Sequence, residues 1–235
     1  MEELLKTGLI GKLGYEMGHP VFFLAMVLCA VVPYLLGSIN FAVIFSKSIH
    51  HDDVRTHGSG NAGSTNMLRT YGLKTALLTL FCDVMKGVLS ALIGLFVMPY
   101  YTGFAYISAL CCMLGHAFPV YYGFKGGKCV ATFAGAALVL NPPVWVLLIL
   151  AFVLIVYISR YVSLGSVICA ALFPLLLNFI PFGGMALPDG TAILPPASII
   201  GGFLMAVLVV VLHRKNIVRL WKGEESKISF KKKDS

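Results

Sequence analysis

The sequence predicts an all-α integral membrane protein with seven transmembrane helices, two of them short, and three observations carry that prediction. Of its 235 residues 58% are hydrophobic and only 12% charged, whereas a soluble domain carries about a quarter charged residues. The apolar residues gather into seven stretches, and the lysines and arginines gather in alternate connections between them. Such a chain has too little polar surface to cover a globule and needs lipid as its solvent.

Residues 1–20 read as an N-terminal extension. They hold Glu2, Glu3 and Glu16 and lack the basic start and small-residue cleavage site of a signal peptide. Helices are predicted near 21–46, 74–98, 103–121, 129–141, 143–158, 164–180 and 196–213, which together make a membrane domain over 21–213. A spanning helix needs about 17–25 residues, so the fourth and fifth segments are short. Asn141, Pro142 and Pro143 separate them, because proline ends the helix that precedes it, and a tight hairpin there makes the loop charges consistent. The Pro- and Gly-rich stretch 181–195 reads as an ordinary external loop, and 214–235 as a basic cytosolic tail.

Orientation follows from the bias of basic residues. One side carries Lys47, Arg55, Arg69, Lys74, Lys125, Lys128, Arg160 and the tail; the other carries Lys6 and Lys12. The N-terminus is therefore expected outside and the C-terminus in the cytosol. The net charge of +8 is a topology signal that also suits anionic lipid headgroups beside Lys231, Lys232 and Lys233. Nucleic acid is excluded as a partner, since the charges are dispersed among apolar spans. The six cysteines form no CxxC pair and read as small buried hydrophobes.

Three cytosolic clusters resemble chemistry. The first is RTHGSGNAGSTNMLR, residues 55–69. Gly58, Gly60 and Gly63 let successive N–H groups turn toward one point, and Ser59, Asn61, Ser64, Thr65 and Asn66 add side-chain donors. A short helix is expected from about Asn66 to Gly72, its N-terminus favouring an anion. Arg55 and Arg69 flank the loop and can fork onto phosphate. The GK[ST] ending of a P-loop is missing, and a flexible Gly/Ser-rich surface loop is the plainer alternative. The second cluster, GHAFPVYYGFKGGK at 115–128, sets Lys125 and Lys128 astride Gly126 and Gly127, with His116 at the end of the third helix. The alternatives here are an interfacial histidine and snorkelling lysines. The third, SRYVSLGS at 159–166, places three hydroxyls beside Arg160; alone it is equally an interfacial anchor.

Asp83 and Lys86 lie three apart on one face of the second helix. Lys86 sits about 18 Å beyond Lys74 along that helix, deep in the bilayer. Ionisable groups there are expensive and usually paired, so the two read as a structural pair. A proton or ion pathway is the second reading. His50, His51, Asp52 and Asp53 are read as a solvated loop rather than a metal site. The HxxxxD, HExxH and GxSxG patterns are missing.

Taken with Gly37-Ser38-Ile39, the Asp83–Gly87 stretch and the His213–Glu224 segment, these clusters resemble the PlsY family of bacterial acyl-phosphate:glycerol-3-phosphate acyltransferases over residues 33–225. The resemblance implies a multi-pass protein of the bacterial inner membrane. It would transfer a fatty acyl group from acyl phosphate to the sn-1 hydroxyl of glycerol 3-phosphate, the first step of phospholipid synthesis. It further implies that Ser59, Arg69, His116, a lysine of the Lys125–Lys128 pair, Ser163 and Asn216 line the acyl-phosphate site. Ser38, Arg55, Gly58, Gly60, Asn61, Gly63, Thr65, Asn66, Gly126, Gly127, Arg160 and Ser166 would contribute to substrate binding. Acyl phosphate is already activated, so the scheme needs cations and hydroxyls rather than a metal or organic cofactor. The implied partners are the two substrates, membrane lipids and an upstream enzyme that produces acyl phosphate. Asn40, where the family usually has proline, and Cys129, where it has glycine, depart from the pattern. The competing readings are a transporter of a phosphorylated solute, a non-catalytic lipid binder, and a diverged paralogue acylating another phosphorylated acceptor.

Overall fold

The computed structural model describes residues 20–98, 101–180, 182, 185–186, 192–193 and 196–228. The expectations placed on Lys6, Lys12, Lys231–Lys233 and most of 181–195 fall outside these. In chain order the helices are α1 (Pro20–Ser38), α2 (Phe41–His50), α3 (Ser64–Tyr71), α4 (Leu73–Val97) and α5 (Gly103–Ala117). They continue as α6 (Val130–Leu140), α7 (Pro142–Ser159), α8 (Val162–Phe179), α9 (Pro196–Leu212) and α10 (Arg214–Trp221). Two 3₁₀ turns, Val54–Thr56 and Val120–Tyr122, sit in the polar connections. The connection between α8 and α9 contains a minimal hairpin, β1 (Met185–Ala186) against β2 (Ala192–Ile193), with Met185 opposite Ile193.

Among the described residues five stretches are long and apolar enough to cross a membrane, and a sixth if α9 and α10, bent by 58°, are one span. Helix α6, with 11 residues, is too short by itself. Against the expected seven passes, the described residues give five or six full-length spans plus this short helix. The turn that separates it from α7 is built at Asn141. That buried side chain accepts from Val144 N (3.1 Å) and donates to Ile180 O (2.7 Å), so a single residue ends α6, caps α7 and ties both to the end of α8. With 18 residues against 11, α7 rises about 10 Å further than α6 from the shared turn. The loop preceding α6 is therefore recessed below the level at which α7 ends.

The first predicted helix, 21–46, is not continuous. It breaks between Ser38 and Phe41, where the Asn40 side chain accepts from Val43 N (3.1 Å) and starts a second helix. The carbonyls freed by the break have a partner from far along the chain: Lys86 Nζ donates to Gly37 O (3.0 Å) and Ile39 O (2.9 Å). The expected pair also forms, with Lys86 Nζ 3.0 Å from Asp83 Oδ1 and both side chains about 1–2% exposed. Lys86 thus joins a buried carboxylate to the end of α1, which is how an ammonium survives at this depth.

Helices approach closely through glycine. A Cβ on Gly115 would collide with Tyr34 O, and one on Gly37 with Cys112 O, so α1 and α5 touch backbone to backbone. Small residues at such crossings replace the hydrophobic drive that lipid removes. Gly115→Ala is expected to cost about 1–3 kcal/mol, because the obstacle is backbone and no rotamer relieves it. Detergent denaturation of the purified variant checks this; an unchanged midpoint would refute the tight α1–α5 contact.

Candidate functional site

The loops between the helices converge. One cavity of about 490 Å³ is lined by residues from all three sequence clusters and from the tail. Its polar end holds Ser59, Asn61, Gly63, Thr65, Asn66 and Arg69 from the first cluster. His116 and Lys128 come from the second, Ser163 and Ser166 from the third, and Asp83 closes it from beneath.

The first cluster is shaped by its own side chains. Helix α3 starts at Ser64, two residues before the expected Asn66, and ends at Gly72, whose φ of +89° turns the chain into α4. Asn66 is buried and fully engaged: Oδ1 accepts from Ser59 N (3.0 Å) and Nδ2 donates to Val54 O (2.9 Å) and His57 O (3.0 Å). It therefore shapes the loop from within. Gly58 is needed here, since its φ is +56° and a Cβ would meet the Asn66 amide. Arg69 and Thr65 line the cavity together with Gly63 and Ser64 at the start of α3, a helix end that favours an anion.

Arg55 does not line the cavity. Asp53, two residues earlier, captures the guanidinium through Nε (3.0 Å) and Nη2 (2.8 Å), and Nη1 donates to Tyr122 O (3.2 Å). The hydrogen bonds from Arg55 hold the Asp53 carboxyl down at about 2, so the pair persists at every working pH and staples the first loop to the second. The neighbouring side chains are likewise engaged: Asp52 meets His57 Nε2 (2.6 Å) and Tyr71 OH (2.9 Å), and His50 bonds Thr75 Oγ1 (3.0 Å).

Of the two lysines only Lys128 lines the cavity; Lys125 is exposed. Gly126 and Gly127 lie against His116, with their amides donating to Ala117 O (3.1 Å) and His116 O (3.0 Å). A Cβ on Gly127 would overlap the His116 ring, so glycine lets the loop lie against the imidazole. On its other side, His116 Nδ1 is 3.6 Å from Asp83 Oδ1. Cys129 follows with φ of +65°, fully buried, its thiol donating to Met113 O (2.9 Å). That left-handed conformation is one glycine adopts at lower cost than cysteine. Ser38 lies outside the cavity, bonded to Tyr34 O (2.9 Å) and accepting from Val120 N (3.4 Å). Arg160 is also outside: it ends α7 with φ of +65°, stacks on Tyr157 and accepts from Ile228 N through its carbonyl (2.9 Å). Gly60 is a turn residue, with φ of +69°.

The tail supplies Asn216, which the resemblance implied, together with Glu225, His213 and Arg219, to which the sequence had assigned no role. Lys128 Nζ donates to Asn216 Oδ1 (2.5 Å), and Asn216 Nδ2 donates to Glu225 Oε1 (2.6 Å). Ser163 Oγ donates to the same oxygen (2.9 Å), and Arg219 Nε donates to Oε2 (2.7 Å). Since Lys128 and Ser163 reach one network, α6 and α7 run antiparallel, as the hairpin expectation required. Burial would raise Glu225, but hydrogen bonds from Asn216, Arg219 and Ser163 outweigh it and hold the carboxyl below its ordinary range. Burial, aided by Arg219 and Arg69 and opposed by Glu225, brings Lys128 down to about 8. His213 and Arg219 also line the cavity. Their available signal was the cluster of His, Asn and Arg directly after the last helix; for Glu225 there was none beyond its place next to a glycine turn.

Beyond the polar end the cavity is apolar. Leu73, Leu77, Leu80 and Val84 of α4 form one wall, and Trp145, Leu148, Ile149, Phe152 and Val156 of α7 form another. Both series follow the three-four spacing of a single helix face. Between them Ala134 and Ala137 of the short helix α6 make the floor.

Residues 27–223 match the family model described as glycerol-3-phosphate acyltransferase. The chain is 44% identical over 209 residues to a glycerol-3-phosphate acyltransferase of Syntrophomonas wolfei, covering 88% of this chain and 96% of that one. It is 39% identical to one from Clostridioides difficile, covering 88% and 97%. The fold matches the crystal structure of PlsY (YgiH), an integral membrane glycerol 3-phosphate acyltransferase, in its glycerol 3-phosphate form. The TM-score is 0.78 at 32% identity, over 87% of this chain and 96% of that one. The lysophosphatidic acid form of that protein matches with a TM-score of 0.75. The chain belongs to the PlsY family of glycerol-3-phosphate acyltransferases.

Proposed function

We propose that this protein transfers a fatty acyl group from acyl phosphate to the sn-1 hydroxyl of glycerol 3-phosphate, on the cytosolic side of a bacterial inner membrane. The observation that carries the reading is the two-part cavity. A head of cations and hydroxyls suited to phosphate opens directly into an apolar groove suited to a fatty chain. In this reading seven passes place the N-terminus outside and the polar loops and C-terminus in the cytosol. An upstream enzyme supplies the acyl phosphate.

Lys128, Arg69, Ser59 and Ser163 hold the phosphate of the donor, with Asn216 and Glu225 fixing the lysine and serine. Thr65, Asn61 and the first turn of α3 hold the acceptor. The sn-1 oxygen attacks the acyl carbonyl, the bond from carbonyl carbon to phosphate oxygen breaks, and inorganic phosphate leaves with the bonding pair. The hydroxyl proton passes to His116 or to a phosphate oxygen. Most of the acceleration comes from holding two anions side by side and stabilising the charge that develops on the carbonyl oxygen.

Purified protein given palmitoyl phosphate and glycerol 3-phosphate should release phosphate and form 1-acyl-glycerol 3-phosphate. Arg69→Ala should lower kcat/KM by about 10²-fold, the scale of one lost charge-assisted donor. No release from the unaltered protein, or equal release from Arg69→Ala, would overturn the proposal.

A further inference from the structure

The apolar groove has a definite length and a definite end. Its lining on α7 runs from Val156 to Trp145 and on α4 from Leu73 to Val84, eleven helical steps or about 16 Å in each case. That is close to the depth of one leaflet, half of a hydrocarbon core of about 30 Å. The deepest residue on α7 is Trp145, and on α6 it is Ala137. They stand on either side of the Asn141 turn, beyond which no described residue lines the cavity. Trp145 is the largest residue type in the groove. Its indole Nε1 is buried without a hydrogen-bond partner among the described residues, an unusual state for a buried tryptophan. Its position at this end of the groove is accounted for by bulk.

We infer that Trp145 and Ala137 form the stop that sets the acyl-chain length accepted by the enzyme. The inference rests on the acyl-phosphate reading above and adds a specificity determinant to it. The donor's phosphate is fixed at the polar end, so its chain must run down the groove with its methyl end toward Trp145. A chain longer than the groove has either to fold back or to leave sideways between α4 and α7. Removing the indole deepens the groove. Enlarging Ala137 raises its floor.

The test compares kcat/KM for decanoyl, palmitoyl and eicosanoyl phosphate in the full-length protein, with every result taken as a ratio between donors so that partial misfolding cancels. Trp145→Ala should raise the eicosanoyl-to-palmitoyl ratio by about tenfold or more, and Ala137→Leu should raise the decanoyl-to-palmitoyl ratio similarly. Ratios unchanged in both variants, or equal losses on all donors, would overturn the inference. A second readout does not depend on turnover. The chain has two tryptophans, and the other, Trp221, is 93% exposed. In a Trp221→Phe background, palmitoyl phosphate brominated at its methyl end should quench Trp145 emission, and the same donor brominated beside its carbonyl should not. Quenching without phosphate release would defeat the acyl-transfer reading and leave the groove assignment standing. Turnover with no methyl-end quenching would defeat the stop alone.

Discussion

Replacing Lys86 with methionine is expected to destabilise the protein by about 3–5 kcal/mol, the cost of leaving one member of a buried ion pair uncompensated. Asp83 would keep a carboxylate at about 2% exposure with its nearest cation gone, and Gly37 O and Ile39 O would lose the donor that satisfies the break between α1 and α2. The measurement is unfolding in mixed detergent micelles at fixed pH. The double variant Asp83→Asn/Lys86→Met should recover more than half of the loss, because no unpaired charge remains. The unsatisfied carbonyls account for the remainder. A single variant as stable as the parent would show that the pair contributes nothing. A double variant no better than the single would mean that the carbonyl contacts, rather than the charges, are what matter.

Lys128→Ala is expected to lower kcat/KM for acyl transfer by about 10²–10³-fold, more than any other single change at the polar end. Lys128 is the cation that joins the second cluster to the tail, through Asn216 to Glu225, so its loss would remove the phosphate contact proposed for it and loosen the residues around Ser163. The same lysine predicts a pH dependence. With its folded value near 8, the ammonium is present below that pH and lost above it. kcat/KM, which reports the free enzyme, should therefore be level below about pH 8 and fall tenfold per unit above it. In Lys128→Arg the group stays charged at all accessible pH, so the alkaline fall should disappear even if the rate is reduced. A parent profile flat to pH 10, or an identical fall in the arginine variant, would remove Lys128 from the phosphate site.

Several parts of the site were legible because they are written locally. The Gly-rich loop at 58–63, the lysine after Gly126 and Gly127, and the Ser163–Ser166 segment each announce themselves by residue type and spacing, and all three line one cavity. The distinctions within each cluster were not legible. Arg55 and Arg69 look equivalent in the chain, yet Asp53 takes the first and the cavity keeps the second. Lys125 and Lys128 differ by three positions, yet only the second follows the chain down into the recess before α6. Asn66 looks like a ligand donor and is instead consumed by the loop it shapes. For Arg55 and Asn66 a neighbouring backbone or side-chain group competed for the polar atoms, whereas Lys125 stays at the surface; each result depends on distances that spacing does not encode.

By itself the sequence determined the class of solvent, the apolar helices from α4 to α9 within a few residues, the one-face placement of Asp83 and Lys86, and which loops carry donors, but not the helix α10 in the tail. These follow from composition and from the 3.6-residue period, both of which act over a single helix turn or span. Only the tertiary structure decided where the first helix breaks, since Lys86 reaches that break across 47 positions of chain. Only it brought Glu225 under Ser163, 62 positions away, and set the short α6 against the longer α7 to make a groove of finite depth. Helix packing, unlike helix formation, joins residues that share no local pattern, and the lining of the cavity is assembled at those junctions.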